Sequence, residues 1–162
     1  MMRIGKSTDI HRLKTGGTLK LGGVIVSEEM STLAHSDGDC LIHAVAESLL
    51  GAAALGDLGT HFPDDDARFE GIDSTRILAE VLKMIEEEGY RICNVDCLVM
   101  LEKPRLKPHR EAIRTQLADL LGLDESRVNV KATTAEGLGV IGEGKAIACE
   151  AVALLERKLV RL

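Results

Sequence analysis

The stretch Lys145–Leu155 is apolar on both alternating sets of positions, and only Glu150 interrupts it. Successive side chains of a strand point to opposite faces, so a run of this kind needs cover on both sides. A chain of 162 residues is enough for a single domain spanning 1–162, and in so small a body a two-sided strand points to further burial by self-association. Aromatic residues make up only 2% (Tyr90, Phe62 and Phe69), so the core has to be aliphatic and alanine-rich, with 16 glycines allowing close backbone approaches.

The remaining pattern alternates between strands and helices. Met1–Leu13 opens as a strand with a polar second half, and Thr18–Val26 reads as a hairpin broken at Gly22-Gly23. Ser36-Asp37-Gly38-Asp39 offers capping groups for a helix of about Asp39–Leu50. Gly56–Gly71 reads as irregular. Asp73/Ser74 caps a helix to about Glu88, in which Ile77, Leu78, Val81, Leu82 and Ile85 repeat with a helical period before Gly89 ends it. Arg91–Glu102 alternates as a strand, with Cys93, Val95, Cys97, Val99 and Leu101 on one face. Pro108 opens a helix stopped by Gly122, and Val128–Thr134 and Lys145–Leu155 complete the strands. The expectation is an α+β fold, a sheet with helices packed on one face.

Several function classes fall away. A net charge of −6 disfavours nucleic acid and anionic membrane surfaces as partners, and the few aromatics leave no stacking platform for single strands. No apolar run reaches the roughly 18 residues of a membrane span. The four cysteines form no Cys-x-x-Cys pair and sit among apolar neighbours, which fits buried, reduced thiols in the cytoplasm. A phosphate ligand would have to be held by backbone N–H groups, a few placed cations or a metal.

Four constellations carry possible chemistry. Asp9-Ile10-His11 places a carboxylate and an imidazole on one face of a strand, where they can share a metal ion. His43, near the start of the first helix, is the candidate third ligand. Asp, His and His without a fourth protein ligand form the open kind of zinc site; the alternative is an ordinary surface turn. His35-Ser36-Asp37-Gly38-Asp39 leads into a helix N-terminus, suited to phosphate or simply to capping by Ser36 or Asp37. The acidic loop from Asp57 through Gly59 and His61 to Asp66 binds hydroxyls, a metal or only water. Lys131–Gly139 ends a strand in two threonines, Glu136 and two glycines, which suits a diphosphate with a hard cation, or a threonine-capped turn.

In this order these stretches resemble the 2-C-methyl-D-erythritol 2,4-cyclodiphosphate synthase family over nearly the whole chain. The resemblance rests on Asp9-Ile10-His11, Leu33-Ala34-His35-Ser36-Asp37-Gly38-Asp39, Leu49 to Gly59, Phe62-Pro63-Asp64, Asn129-Val130-Lys131-Ala132-Thr133-Thr134 and Ala148 to Leu155. It implies closure of a 2-phosphate onto the β-phosphate of 4-diphosphocytidyl-2-C-methyl-D-erythritol 2-phosphate, with loss of CMP. It implies Zn²⁺ on Asp9, His11 and His43, and a second ion, Mg²⁺ or Mn²⁺, on Glu136. His35 and Thr134 match transition-state stabilising positions. Asp57 and Gly59, with Ser36, Phe62, Asp64 and Asp66 nearby, match the methylerythritol side. Leu101, Pro104, Arg105, Leu106 and Lys107, with Ala132 and Thr133, match the cytidine diphosphate cradle. The resemblance further implies a homotrimer around a central β-prism, with sites between subunits.

The chain departs from the family's usual pattern in places. Gly5-Lys6-Ser7-Thr8 stands where Gly-His-Gly-Phe is common, Val140 where an aromatic is frequent, and Glu143-Gly144-Lys145 where Arg-Gly-Glu is usual. Two other readings share the same residues: a zinc-dependent phosphohydrolase of a nucleotide-linked sugar alcohol, and a catalytically silent trimer that binds isoprenoid diphosphates or metal.

Overall fold

The polar half of the first strand does not end it. The computed structural model describes residues 1–63 and 65–158; Asp64 and the last four positions of the expected domain lie outside the described residues. Strand β1 (Met2–Thr15) continues through Asp9 and His11 because the last strand of the chain pairs with it as far as Arg12, and another strand takes over from Arg12 to Thr15. The hairpin follows as β2 (Leu19–Leu21) and β3 (Val24–Ser27), turning at Gly22 and Gly23, both at positive φ. A further strand, β4 (Met30–Leu33), was not legible, since its four residues show no alternation. Helix α1 (Cys40–Ala53) comes next, and a four-residue helix α2 (Leu58–His61) and a 3₁₀ turn at Ala67–Phe69 occupy the stretch read as irregular.

Helix α3 (Ser74–Glu87), strand β5 (Tyr90–Met100) and helix α4 (Arg110–Leu121) lie close to their expected bounds. The last of these starts two residues beyond Pro108, with His109 at its N-cap. Strand β6 (Val128–Thr133), the short helix α5 (Gly139–Gly142) and strand β7 (Ala146–Arg157) complete the chain. Five strands form one sheet in the order β4-β1-β7-β5-β6, antiparallel except for the β5–β6 pair, and β2-β3 form a separate ribbon. Among the described residues, none forms a helix long and apolar enough to cross a membrane.

Helix α1 lies against one face of the sheet, over β1 and β7, and its apolar residues Leu41, Ile42, Val45, Leu49 and Leu50 are fully buried. The contact is unusually close at Gly5. A Cβ there would fall 1.9 Å from the Ser48 carbonyl oxygen and 2.5 Å from the Ala52 nitrogen. Two residues along, the Ser7 hydroxyl donates to the Ala44 carbonyl at 3.0 Å. The helix therefore rests on bare backbone, with no side chain between at that point.

The start of α1 is tied down by Asp39, and this corrects the expectation that Ser36 or Asp37 serves as the cap. The Asp39 carboxylate is fully buried and accepts from Ile42 N–H at 3.0 Å, Gly22 N–H at 2.9 Å and Gly23 N–H at 2.7 Å. One side chain thus caps the helix and docks the hairpin turn. Burial pushes its carboxyl above the usual range, against the pull of these three donors.

Part of the opposite face of the sheet is uncovered among the described residues. Met2, Ile4 and Ile10 on β1 are 68%, 71% and 62% exposed, and Val152 on β7 is 38% exposed. The two-sided apolar character of the last strand is real: one side is covered throughout, and the other is buried at Ala146 and Ala148 but open at Val152. Cys93 also departs from expectation. The register slips between Ile92 and Asn94, so Cys93 leaves the buried row and is half-buried, while Cys40, Cys97 and Cys149 are buried.

Gly5→Ala is expected to lower stability by about 2 kcal/mol or more, because the added methyl meets helix backbone that must move. Gly51→Ala, on the exposed side of α1 with open space around it, is expected to raise stability by roughly 0.5–1 kcal/mol. Urea unfolding midpoints of the two variants check both signs.

Candidate active site

Because α1 lies directly on β1, the fourth residue of the helix reaches the strand's polar half. His43 Nδ1 sits 3.5 Å from Asp9 Oδ2, and His11 Nδ1 sits 2.9 Å from the same oxygen. The two imidazole rings lie 5.2 Å apart, centre to centre. One ligand atom from each of Asp9, His11 and His43 falls within 4.8 Å of the others. Asp9 Oδ2 and His11 Nδ1 are buried and lack a hydrogen-bond partner of good geometry among the described residues. Buried polar atoms without partners are costly, so a cluster of nitrogen and oxygen donors converging on one point suits a cation. The donor set, two imidazoles and one carboxylate with no fourth protein ligand, is that of an open zinc site.

The electrostatics agree. Burial disfavours the Asp9 carboxylate, but the adjacent His11 and His43 rings outweigh it and hold the group well below the usual carboxylate range. Burial likewise opposes charge on His11, yet the Asp9 carboxylate and the nearby Cys40 raise its pKa to about 10. The Cys40 thiol donates to the Asp9 carbonyl at 3.3 Å, beneath the cluster. Without a metal the pair is a carboxylate facing an imidazolium, and a bound cation would take the proton's place.

The cluster forms one wall of a cavity of about 700 Å³. His35, Ser36, Gly59 and Phe62 line it too, as the sequence reading expected, and Glu47, Leu58 and Phe69 join them. Glu47 was missed: it lies one helical turn beyond His43, and its carboxylate accepts from Leu58 N–H at 2.7 Å, pinning α2 to α1. Ser74 was read only as a cap. Its hydroxyl also lies 2.9 Å from His43 Nε2.

The described carboxylates of the acidic loop at Asp57 and Asp66 engage neighbouring groups of the loop itself. Asp57 caps α2, accepting from Thr60 N–H at 2.8 Å, and lies outside the cavity lining. Asp66 caps the 3₁₀ turn and pairs with Arg68, which takes its carboxyl down to about 2. Asp64 lies outside the described residues.

A second cavity, of about 310 Å³, opens beside the ends of β5 and β6. Leu101, Arg105, Leu106, Lys107, Ala132, Thr133 and Thr134 line it, together with Glu102 and Arg110. Pro104 and Glu136 are not in the lining. Arg110 was missed, since it stands in no recognisable motif, while Glu102 falls within the expected Leu101–Lys107 segment without a role of its own. The Glu102 carboxylate accepts from Ala135 N–H at 3.1 Å and so holds the Thr133–Glu136 turn. Glu136 sits at φ +52, a left-handed conformation rare for a residue with a side chain, and its N–H lies 3.4 Å from the Thr134 hydroxyl. Lys145 and Glu143 pair with each other at 2.6 Å.

The two cavities share no residue. β7 and β5 stand between β1 and β6, so the two halves are about 14 Å apart at ordinary strand spacing.

The profile of the YgbB family matches residues 2–156. The chain belongs to the YgbB family. It is 50% identical over 155 residues to the 2-C-methyl-D-erythritol 2,4-cyclodiphosphate synthase of Thioalkalivibrio sulfidiphilus, covering 96% of this chain and 97% of that one. It is 51% identical over 155 residues to the synthase of the same name from Gloeobacter violaceus, covering 96% and 95%. Among solved structures, IspF of Plasmodium falciparum in complex with CDP superposes with a TM-score of 0.86 at 39% identity, over 98% of this chain and 97% of that one. The bifunctional IspDF of Campylobacter jejuni gives 0.94 at 38% identity, over 97% of this chain and 42% of that one. The family read from the sequence motifs is therefore the right one.

The raised pKa of His11 sets a pH dependence for the metal-free protein. A group whose folded pKa exceeds its unfolded value stabilises fully below the unfolded one and loses that effect as pH rises through the folded one. Metal-free protein is therefore expected to lose stability from about pH 6.5, the ordinary histidine value, to about pH 10. His11→Asn should flatten this part of the curve, as read by urea unfolding in chelator across that range.

Proposed function

We propose that this YgbB-family chain converts 4-diphosphocytidyl-2-C-methyl-D-erythritol 2-phosphate into 2-C-methyl-D-erythritol 2,4-cyclodiphosphate and CMP. An oxygen of the 2-phosphate attacks the β-phosphorus. The bond from that phosphorus to the oxygen bridging it to the α-phosphate breaks, and CMP leaves with that oxygen. The observation that carries the reading is the convergence of Asp9, His11 and His43 on one point in the wall of a large cavity, in a chain whose relatives bear the synthase name. In this reading the three side chains hold Zn²⁺, and Glu136 holds Mg²⁺ or Mn²⁺. Bound there, such cations neutralise phosphate charge and polarise the phosphorus under attack.

The chain's own residues then have a positional task. Nucleophile and electrophile belong to one substrate, so no serine, cysteine or lysine nucleophile is required. Two phosphates brought together in a partly dry cleft repel by several kcal/mol. Holding the reacting ends in register can remove roughly 7–11 kcal/mol of the barrier in favourable cases. His35 and Ser36, at the cavity mouth before α1, donate to the phosphate on the zinc side, and Gly59 with Phe62 borders the methylerythritol part. Arg105 and Lys107 supply positive charge on the cytidine side, where Thr133 and Thr134 present hydroxyls. His35 and Thr134 act on the charge that develops during transfer.

The reading also requires assembly. Two half-sites about 14 Å apart on one sheet cannot both touch one phosphate. The exposed row of Met2, Ile4, Ile10 and Val152 supplies an apolar surface for burial between copies. A homotrimer, its sheets turned inward as a prism, buries that row and sets the zinc half of one copy against the cytidine half of the next. The three buried thiols fit a cytoplasmic enzyme.

Incubation with the linear substrate should release CMP and cyclic diphosphate in equal amounts. CMP with a linear phosphate would instead mark a hydrolase. His43→Ala is expected to lose bound zinc and at least a hundredfold in turnover together; full activity in a zinc-free variant would overturn the assignment. Glu136→Gln should keep its zinc and require roughly tenfold more Mg²⁺ for half-maximal rate.

A further inference from the structure

His43 is gripped from behind as well as in front. Its Nε2 lies 2.9 Å from the Ser74 hydroxyl and 3.2 Å from that of Ser36. Ser74 is fully buried at the start of α3, and its hydroxyl contacts Asp37 Oδ1 at 2.5 Å. A carboxylate can only accept, so the single hydroxyl proton of Ser74 goes to Asp37. Asp37 is fixed in turn: Oδ1 also accepts from Ser74 N–H at 3.2 Å, and Oδ2 faces Lys20 Nζ at 3.3 Å. Lys20 comes from the hairpin strand β2, which Asp39 docks onto α1.

With its proton committed, Ser74 Oγ offers His43 only lone pairs. A bare Nε2 at 2.9 Å would set lone pair against lone pair, so Nε2 carries the proton. With its proton on Nε2, a neutral ring keeps the Nδ1 lone pair for a cation held between it and Asp9 Oδ2, the oxygen that Nδ1 faces at 3.5 Å. We infer that Ser74, oriented by Asp37 and Lys20, is a positioning residue that fixes His43 in the Nε2–H tautomer and so presents Nδ1 ready to bind metal. This rests on the metal reading of the cluster given above. A partner that sets the orientation and tautomer of a ligating histidine typically changes metal affinity by about 10- to 100-fold. Ser36 shares the contact without setting the choice, since its hydroxyl can either donate or accept.

Two measurements test this. Long-range proton–nitrogen correlation spectra of the unaltered, zinc-loaded protein, with histidine labelled in ¹⁵N, report which ring nitrogen of His43 bears the proton and which binds the metal. The expected pattern is Nε2–H with Nδ1 on zinc; a ring protonated at Nδ1 and bound through Nε2 would overturn the inference without any substitution. Zinc dissociation constants by competition with a chromophoric chelator are then compared for the unaltered protein and Ser74→Ala, which retains the Asp73 cap of α3. The expected result is weakening of about 10- to 100-fold with a mixed tautomer signal. Equal affinity and an unchanged spectrum in Ser74→Ala would also overturn it. Failure of the unaltered protein to take up zinc at all would instead remove the metal reading, and the inference with it.

Discussion

The contact between bare backbone at Gly5 and the helix above it governs the rest of the molecule. A side chain at that point would hold α1 away from β1, and His43 would no longer reach Asp9 and His11. The Ser7 hydroxyl bonded to the Ala44 carbonyl locks the helix along the strand, and Asp39 locks its start. Asp9 and His11 are brought together by strand alternation alone. The third member of the cluster depends on how two elements pack, so the site is a product of a close helix–strand contact.

Charge is arranged in the same economical way. The chain carries −6 overall, yet the substrate class it is proposed to take is itself strongly anionic. Three cations, Arg105, Lys107 and Arg110, gather around the smaller cavity. At the larger cavity the nearest charged wall is a carboxylate and two imidazoles whose natural complement is a cation. Several acidic groups that look available in the sequence are already engaged: Asp39 with three backbone donors, Asp37 with Ser74 and Lys20, and Asp66 with Arg68. The sheet's exposed apolar row is the feature a single copy leaves unfinished.

Strong periodicity made most elements legible in the sequence. The apolar repeat of α3, the alternation of β5 and the Gly22-Gly23 hairpin lie close to their expected bounds. Strand β4 escaped because four residues give no period, and α2 escaped because its capping by Asp57 looks like ordinary loop polarity. The slip at Cys93 is invisible to alternation, which assumes an unbroken register. For the site, motif spacing pointed to Asp9, His11, His35 and His43, and the structure places them around one cavity. Glu47, Glu102 and Ser74 contribute through hydrogen bonds to backbone or to another side chain, contacts that exist only after packing and leave no mark in local sequence. Asp57 and Asp66 cap short helical turns, a local task that the loop's polarity alone did not reveal.

The most direct test is anomalous scattering at the zinc edge from crystals grown with the metal. The account predicts one strong peak about 2.0–2.2 Å from a carboxylate oxygen of Asp9, Nδ1 of His11 and Nδ1 of His43. A peak elsewhere, or none while those three side chains turn away from one another, would contradict it.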